Sequence, residues 1–234
     1  NARDPWNNNS YGTLVDSPYL EVKLPILDVR DFNERIIRGY EEGYGEDDLP
    51  ADLSVARSLI PAGTATLRDF SYVAPEIPEY IRENCTGCMD CVTECPDTAI
   101  LGKVLAESTL ESKLGAIDSE DDRAMFEHQW SKTRKYYEGP IKKGQEGGVF
   151  SIIIDPSKCK GCAECVEVCH ALGYDALAMI DKQPATDDTQ STVDEARTQM
   201  RFLRSLPPTP REYRNEKALA DLMLGEHALG FVGG

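Results

Sequence analysis

No apolar run in these 234 residues approaches the length that crosses a bilayer. The opening residues, from Asn1 to Ser10, lack the charged and apolar regions of a secretory signal, and there is no initiating methionine. Such a start is expected of a segment of a longer polypeptide or of a processed chain. Positive charge is scarce: 25 Lys and Arg stand against 41 Asp and Glu, a net charge of -16. This balance cannot replace the counterions of a phosphate backbone, which argues against nucleic acid as a partner. The acidic residues are spread through the chain and serve solvation. Only three histidines occur, His128, His170 and His227, and they are scattered. No base, nucleophile or phosphate loop forms a recognisable constellation, so no catalytic residue is assigned. The expectation is a soluble protein of a reducing, cytoplasmic compartment, without a membrane partner.

Cysteine is absent outside two short stretches. All eight cysteines fall into two copies of one spacing, Cys85, Cys88, Cys91, Cys95 and Cys159, Cys162, Cys165, Cys169. That run, C-x-x-C-x-x-C-x-x-x-C, is the one in which three thiolates hold a 4Fe-4S cluster and the fourth reaches across to a second cluster. A two-residue gap lets a tight loop point successive thiolates at neighbouring corners of one small cube. The three-residue gap begins a helical turn that carries the fourth away. The crossing rule assigns Cys85, Cys88, Cys91 and Cys169 to cluster one, and Cys159, Cys162, Cys165 and Cys95 to cluster two. Gly87 and Gly161 recur inside the runs, where a side chain would crowd the loop and a free N–H can donate to sulfur. Cys95-Pro96 ends the first run, whereas His170 follows Cys169. Disulfides suit small secreted scaffolds, which this acidic chain does not resemble. Structural zinc uses paired C-x-x-C motifs but gives no reason for a third evenly spaced cysteine followed by x-x-x-Cys.

A dicluster core needs far fewer residues than the chain has. Residues 1–80 read as an N-terminal arm that wraps another surface. Short apolar stretches such as Tyr19 to Leu24 are punctuated by proline, with one short amphipathic helix over Asp31–Tyr40 and an acidic loop from Glu41 to Pro50. Ile26, Leu27, Phe32, Ile36, Ile37, Leu59, Ile60, Phe70 and Tyr72 in this arm call for burial. Residues 81–182 read as the cluster domain, an internal repeat with strand-like stretches at Ala99–Leu101, Val149–Ile154 and Ala176–Ile180. An insertion at about 102–148 separates the repeats. Within it Asp118 to Asp122 reads as an acidic helix start, and Met125, Phe126, Trp130, Arg134 and Tyr137 lie near helical spacing before Gly139-Pro140. One amphipathic helix is predicted, its apolar stripe packed on its own domain. The basic tract Lys132, Arg134, Lys135, Lys142 and Lys143 reads as a positive patch or a solvated face. Residues 183–234 read as a helical connecting arm, with Thr192 to Glu195 as a capping box and a second helix over Asn215–Leu224. The predicted class is α+β: a dicluster ferredoxin-like domain with a helical insertion, flanked by an extended N-terminal and a helical C-terminal arm.

Four features together resemble the cluster-bearing part of 2-oxoacid:ferredoxin oxidoreductases, particularly the pyruvate:ferredoxin oxidoreductase type. They are Tyr80-Ile81-Arg82-Glu83-Asn84-Cys85-Thr86-Gly87-Cys88, the Cys95-Pro96 exit, the distant second run at Cys159 and the cysteine-free helical tail. The ending Leu229 to Gly234 looks like the lead-in to that family's thiamine-diphosphate domain. The long insertion and His170 depart from the compact pattern, and the resemblance covers about half of the chain. It implies an enzyme that decarboxylates a 2-oxoacid on thiamine diphosphate, passes the acyl group to coenzyme A and releases electrons singly to ferredoxin or flavodoxin. This chain would then be its wire, inside a larger oligomer, with thiamine diphosphate, magnesium and coenzyme A held by partner domains or subunits. A free-standing dicluster carrier, or the iron–sulfur subunit of a hydrogenase or dehydrogenase, would carry the same cysteine runs.

Overall fold

The computed structural model describes residues 28–61, 64–67, 69–186, 189–215 and 217–224. The expectations placed on Tyr19 to Leu24, Ile26, Leu27, His227 and Leu229 to Gly234 lie outside these residues. The chain divides into two compact units, residues 1–64 and 65–234.

In the first unit Asp28 caps a helical stretch, its carboxylate accepting from the N–H groups of Arg30 and Asp31. The stretch comprises α1 (Val29–Phe32), a π-wound segment (Asn33–Ile37) and α2 (Arg38–Glu41). It buries Phe32 and Ile36. Asp52 caps α3 (Leu53–Ala56) in the same way and binds Arg35, which also holds Asp31. Leu59 and Ile60, expected inside, are exposed, as is Tyr72 in the second unit.

The second unit is mixed helix and sheet. Strand β1 (Glu76–Tyr80) leads through the first cysteine run and α4 (Asp90–Thr93) to β2 (Ile100–Ala106). Strand β3 (Gly148–Ile154) leads through the second run and α8 (Glu164–Ala171) to β4 (Leu177–Asp181). The strands pair in a nested way. The outer pair, β1 and β4, is antiparallel with Glu76 opposite Asp181 and Tyr80 opposite Leu177. The inner pair, β2 and β3, runs antiparallel from Ile100–Ile154 to Ala106–Gly148. Each half of the repeat thus lends its first strand to the last strand of the other half. Strand β1 lies just before Ile81, where the sequence starts the cluster domain, and β2 runs on through Gly102 into the expected insertion.

Alternation along β2 and β3 sorts side chains between two cores, as the two-residue period of a strand requires. Ile100, Val104, Phe150, Ile152 and Ile154 share one core with the cysteines. Leu101, Leu105, Val149 and Ile153 face the other, which is filled from α5 (Glu107–Leu114), α6 (Glu120–His128) and α9 (Thr192–Ser205). Strand β3 is buried along its whole length because both faces are covered.

The predicted insertion helix is broken. Ser119 caps α6, but the chain leaves the helix so that Ser131 can bridge Phe150 of β3, exchanging N–H to O bonds of 2.8 and 2.9 Å. Thr133 then caps a separate π-wound turn (Arg134–Glu138) that continues into α7 (Gly139–Ile141), where Pro140 sits at the helix start instead of ending one. Phe126 and Trp130 are nevertheless buried, and Phe126 stacks on Phe202 of α9 at 4.1 Å between centroids. Helix α9 is capped by Ser191, one residue before the expected Thr192. It is anchored by the buried Lys103 of β2, which donates to the Leu203 and Leu206 carbonyls, and by an Arg204–Asp155 ion pair of 3.0 Å. The helix expected over Asn215–Leu224 contracts to α10 (Leu219–Leu222). On the other side, residues 69–75 are fastened to the cysteine-bearing unit. Phe70 N–H donates to the Ser157 carbonyl, and Lys182 donates to Ser71 and Ala74.

Candidate functional site

The two cysteine runs have the same backbone. Gly87 and Gly161 take φ values of 76 and 67°, and two residues later Met89 and Ala163 repeat the left-handed conformation at 76 and 64°. The left-handed residues turn the chain back on itself, and α4 and α8 start immediately after them. The first two thiols of each run therefore lie on a loop and the third on the first helical turn. A Cβ at Gly87 would come within 3.0 Å of the Tyr136 ring, and one at Gly161 within 2.5 Å of the Ala74 Cβ. Packing thus excludes a side chain at Gly161 and crowds one at Gly87, and the positive φ favours glycine at both.

The runs differ after the third thiol. Helix α4 ends before Cys95, because the residue preceding a proline is pushed out of the α region and Pro96 follows. With His170 in place of proline, α8 continues through Cys169 to Ala171. His170 turns away to the surface, where its Nδ1 lies 2.7 Å from Asp175 Oδ1 and that carboxylate raises the imidazole pKa. His128 stands at the end of α6.

Nested strand pairing brings α4 and α8 together, and thiols of the two runs influence one another across that contact. Cys85 is pushed up by burial and then by negative charge at Cys88 and Cys169. Cys91 is pushed up by burial and by Cys85, Cys88, Cys165 and Cys169. Cys159 is raised by burial, Cys95 and Cys162, and Cys165 is pushed up to about 12 by burial and then Cys159, Cys95 and Cys162. Cys95, Cys159, Cys162 and Cys165 line one cavity, with Lys160 at its wall. Lys160 pairs with Asp97 at 2.6 Å and lies 4.8 Å from the Phe70 ring centroid.

Backbone N–H groups point at five of the sulfurs. Gly87 donates to Cys85, Gly161 to Cys159 and Val166 to Cys165. Ala99 donates to Cys95 and Ala176 to Cys169, each at 3.2 Å. This donor set suits an anionic iron–sulfur cluster: several thiols gathered in apolar surroundings, with N–H dipoles to stabilise thiolate charge. Among the described residues no three Cys, His, Asp or Glu side chains close around the point of a single ion.

Two tyrosines beside the thiols carry no role in the sequence analysis. Tyr80, at the end of β1, is buried, with its hydroxyl 3.0 Å from Ser131 Oγ and within reach of Cys85. Tyr136 lies against Gly87, stacked on Phe150 at 5.2 Å. Burial raises both phenols; the neighbouring Cys85 raises Tyr80 further, and the hydrogen-bonded Asp221 carboxylate raises Tyr136 further. Tyr80 opens the stretch quoted for the first run, whereas Tyr136 had no local signal.

Residues 77–100 and 151–177 match the 4Fe-4S binding domain family. The matched segments span β1 to the start of β2 and most of β3 to the start of β4, so both runs lie inside them. The chain is 34% identical over 192 residues to a pyruvate-flavodoxin oxidoreductase of Nostoc, an alignment covering 80% of this chain and 14% of that protein. It carries an iron–sulfur domain like that of the pyruvate:flavodoxin and pyruvate:ferredoxin oxidoreductases. A probable pyruvate-flavodoxin oxidoreductase of Escherichia coli is 29% identical over 60% of the chain and 10% of its own length. The pyruvate:ferredoxin oxidoreductase of Moorella thermoacetica is 26% identical over 76% and 13%. The chain thus spans about a seventh or less of the length of these relatives. No helix among its described residues is long and apolar enough to cross a membrane.

Proposed function

We propose that this chain is the electron-relay part of a coenzyme A-dependent 2-oxoacid oxidoreductase acting on a pyruvate-like substrate. Cys85, Cys88, Cys91 and Cys169 hold one 4Fe-4S cluster, and Cys159, Cys162, Cys165 and Cys95 hold the other. The observation that carries the reading is the cavity lined by Cys159, Cys162 and Cys165 together with Cys95 of the opposite run. The relatives' names support the reaction class.

When bound, such a cluster takes up and releases one electron at a potential set by net charge, hydrogen bonds to sulfur and solvent exposure. The chain's part is to supply those settings. Burial of Cys159, Cys165 and Cys169 limits water at those sulfurs, the N–H groups of Gly87, Gly161, Ala99 and Ala176 face the negative charge, and the packing of α4 against α8 holds the two sites side by side. Thiamine diphosphate, magnesium and coenzyme A belong to partner domains or subunits in this reading, and ferredoxin or flavodoxin is the acceptor.

Anaerobic analysis of the reconstituted chain should find about eight iron and eight sulfide, as two cubane clusters require. Zinc without acid-labile sulfide would end the proposal. The loaded chain is then mixed with 2-oxoacid, thiamine diphosphate, magnesium, coenzyme A and a low-potential dye. Reduction only with a thiamine-binding partner supports the relay; reduction by the chain alone refutes it.

A further inference from the structure

The carboxylate of Asp221, in α10, is 1% exposed and fully engaged. Its Oδ1 accepts from Lys135 Nζ at 2.5 Å and from the Tyr136 hydroxyl at 2.8 Å, and its Oδ2 accepts from the Asn215 N–H at 2.8 Å. Lys135 Nζ also lies 4.7 Å from the Tyr136 ring centroid. That ring is the wall against which Gly87 packs, and the Gly87 N–H donates to Cys85. A charged pair is therefore joined to the first cysteine run through one buried aromatic side chain. Among the described residues the equivalent glycine of the second run, Gly161, packs against Ala74, and the ion pair beside that run, Lys160–Asp97, lies at the cavity wall with Lys160 over the Phe70 ring and is more exposed than Asp221.

We propose that Lys135, with Tyr136 holding the pair in place, neutralises Asp221 and so shields the potential of the cluster held by Cys85, Cys88, Cys91 and Cys169 from a buried charge. The inference rests on the reading that this run holds a cluster. Its physics is that of charge in a poorly polarisable interior, where an ion pair is close to neutral at a distance and either member alone is not. An electron arriving at the first run meets little net field while the pair is intact. With Asp221 neutralised the ammonium remains and favours reduction; with Lys135 neutralised the carboxylate remains and opposes it. Tyr136 is a positioning residue. It fixes the carboxylate by its hydroxyl and the loop by its ring.

The test is a potentiometric titration of the reconstituted full chain, followed by electron paramagnetic resonance, with Cys95→Ala and Cys169→Ala used to assign the two signals. Asp221→Asn should raise the midpoint of the first-run cluster and Lys135→Met should lower it, each by roughly tenfold in the reduction equilibrium, about 59 mV for one electron. The second-run cluster should stay in place, and Tyr136→Phe, which keeps both charges, should shift the first less than either. Equal shifts of both clusters, shifts of the same sign in Asp221→Asn and Lys135→Met, or no shift would overturn the inference. Should Asp221→Asn fail to fold, the half-exposed Lys135 still permits Lys135→Met, and a raised or unmoved midpoint there overturns it alone. Absence of sulfide in the unmutated chain is a separate outcome that removes the cluster reading itself.

Discussion

The backbone N–H of Ala176 donates to the sulfur of Cys169 at 3.2 Å, and this bond ties the last thiol of one run to the residue just before β4. Ala99 stands in the same relation to Cys95, just before β2. Strand β4 pairs with β1, which leads into the first run, and β2 pairs with β3, which leads into the second. The fourth thiol of each run is thereby drawn toward the loop of the other.

Crossed phenotypes should follow. Cys169→Ala is expected to impair the cluster of the first run and Cys95→Ala that of the second, as resolved by electron paramagnetic resonance of each reduced variant. Loss of each variant's own cluster would sink the exchange of ligands.

Alanine at either loop glycine should destabilise the loaded chain, Gly161→Ala more than Gly87→Ala. The left-handed backbone costs roughly 1–2 kcal/mol at each once a Cβ is present. At Gly161 the new methyl also meets the Cβ of Ala74 and the Glu76 carbonyl, groups with no rotamer to yield. At Gly87 it meets a ring that can shift a little. Thermal unfolding with iron release as the readout ranks them; the reverse order would show that Tyr136 is the more rigid wall.

Lys103→Met should cost about 2 kcal/mol in denaturant unfolding, since it removes charge-assisted hydrogen bonds to two carbonyls at the end of α9. Cluster content should be retained, because Lys103 faces away from the cysteines. An unchanged midpoint would mean that burying the ammonium costs as much as those bonds return.

The His170–Asp175 pair should make a small, pH-dependent contribution to stability. The carboxylate raises the folded-state pKa of His170 above its ordinary value near 6.5. The contribution is complete below about pH 6.5 and disappears as pH rises through the raised folded value. Proton resonance titration of the imidazole checks this. In Asp175→Asn the midpoint should fall back toward the ordinary value, and an unmoved midpoint would exclude the pair as the cause.

The spacing of the cysteines, the recurring glycines, the strand segments beside the runs and the apolar stripe of the insertion were legible in the sequence because each is a local pattern with its own physical period. Strand β1 was not. Pro78 interrupts it, and a proline is tolerated there only because β1 has a single partner strand and can turn its missing donor outward. The break after His128 was hidden too, since helical spacing continues through Trp130 to Tyr137 while the competing bond from Ser131 to Phe150 lies across the fold. Residues 192–206 were readable as a capped helix, but whether α9 connects or packs depended on Leu101, Leu105 and Ile153, whose outward-facing side of the sheet needed a cover. The joining of Asp221 to the first cysteine run belongs wholly to the tertiary structure. Tyr136 and Asp221 are 85 residues apart, and only a fold that buries both could make a hydrogen bond between them the least costly way to satisfy a carboxylate beside a cluster of thiols.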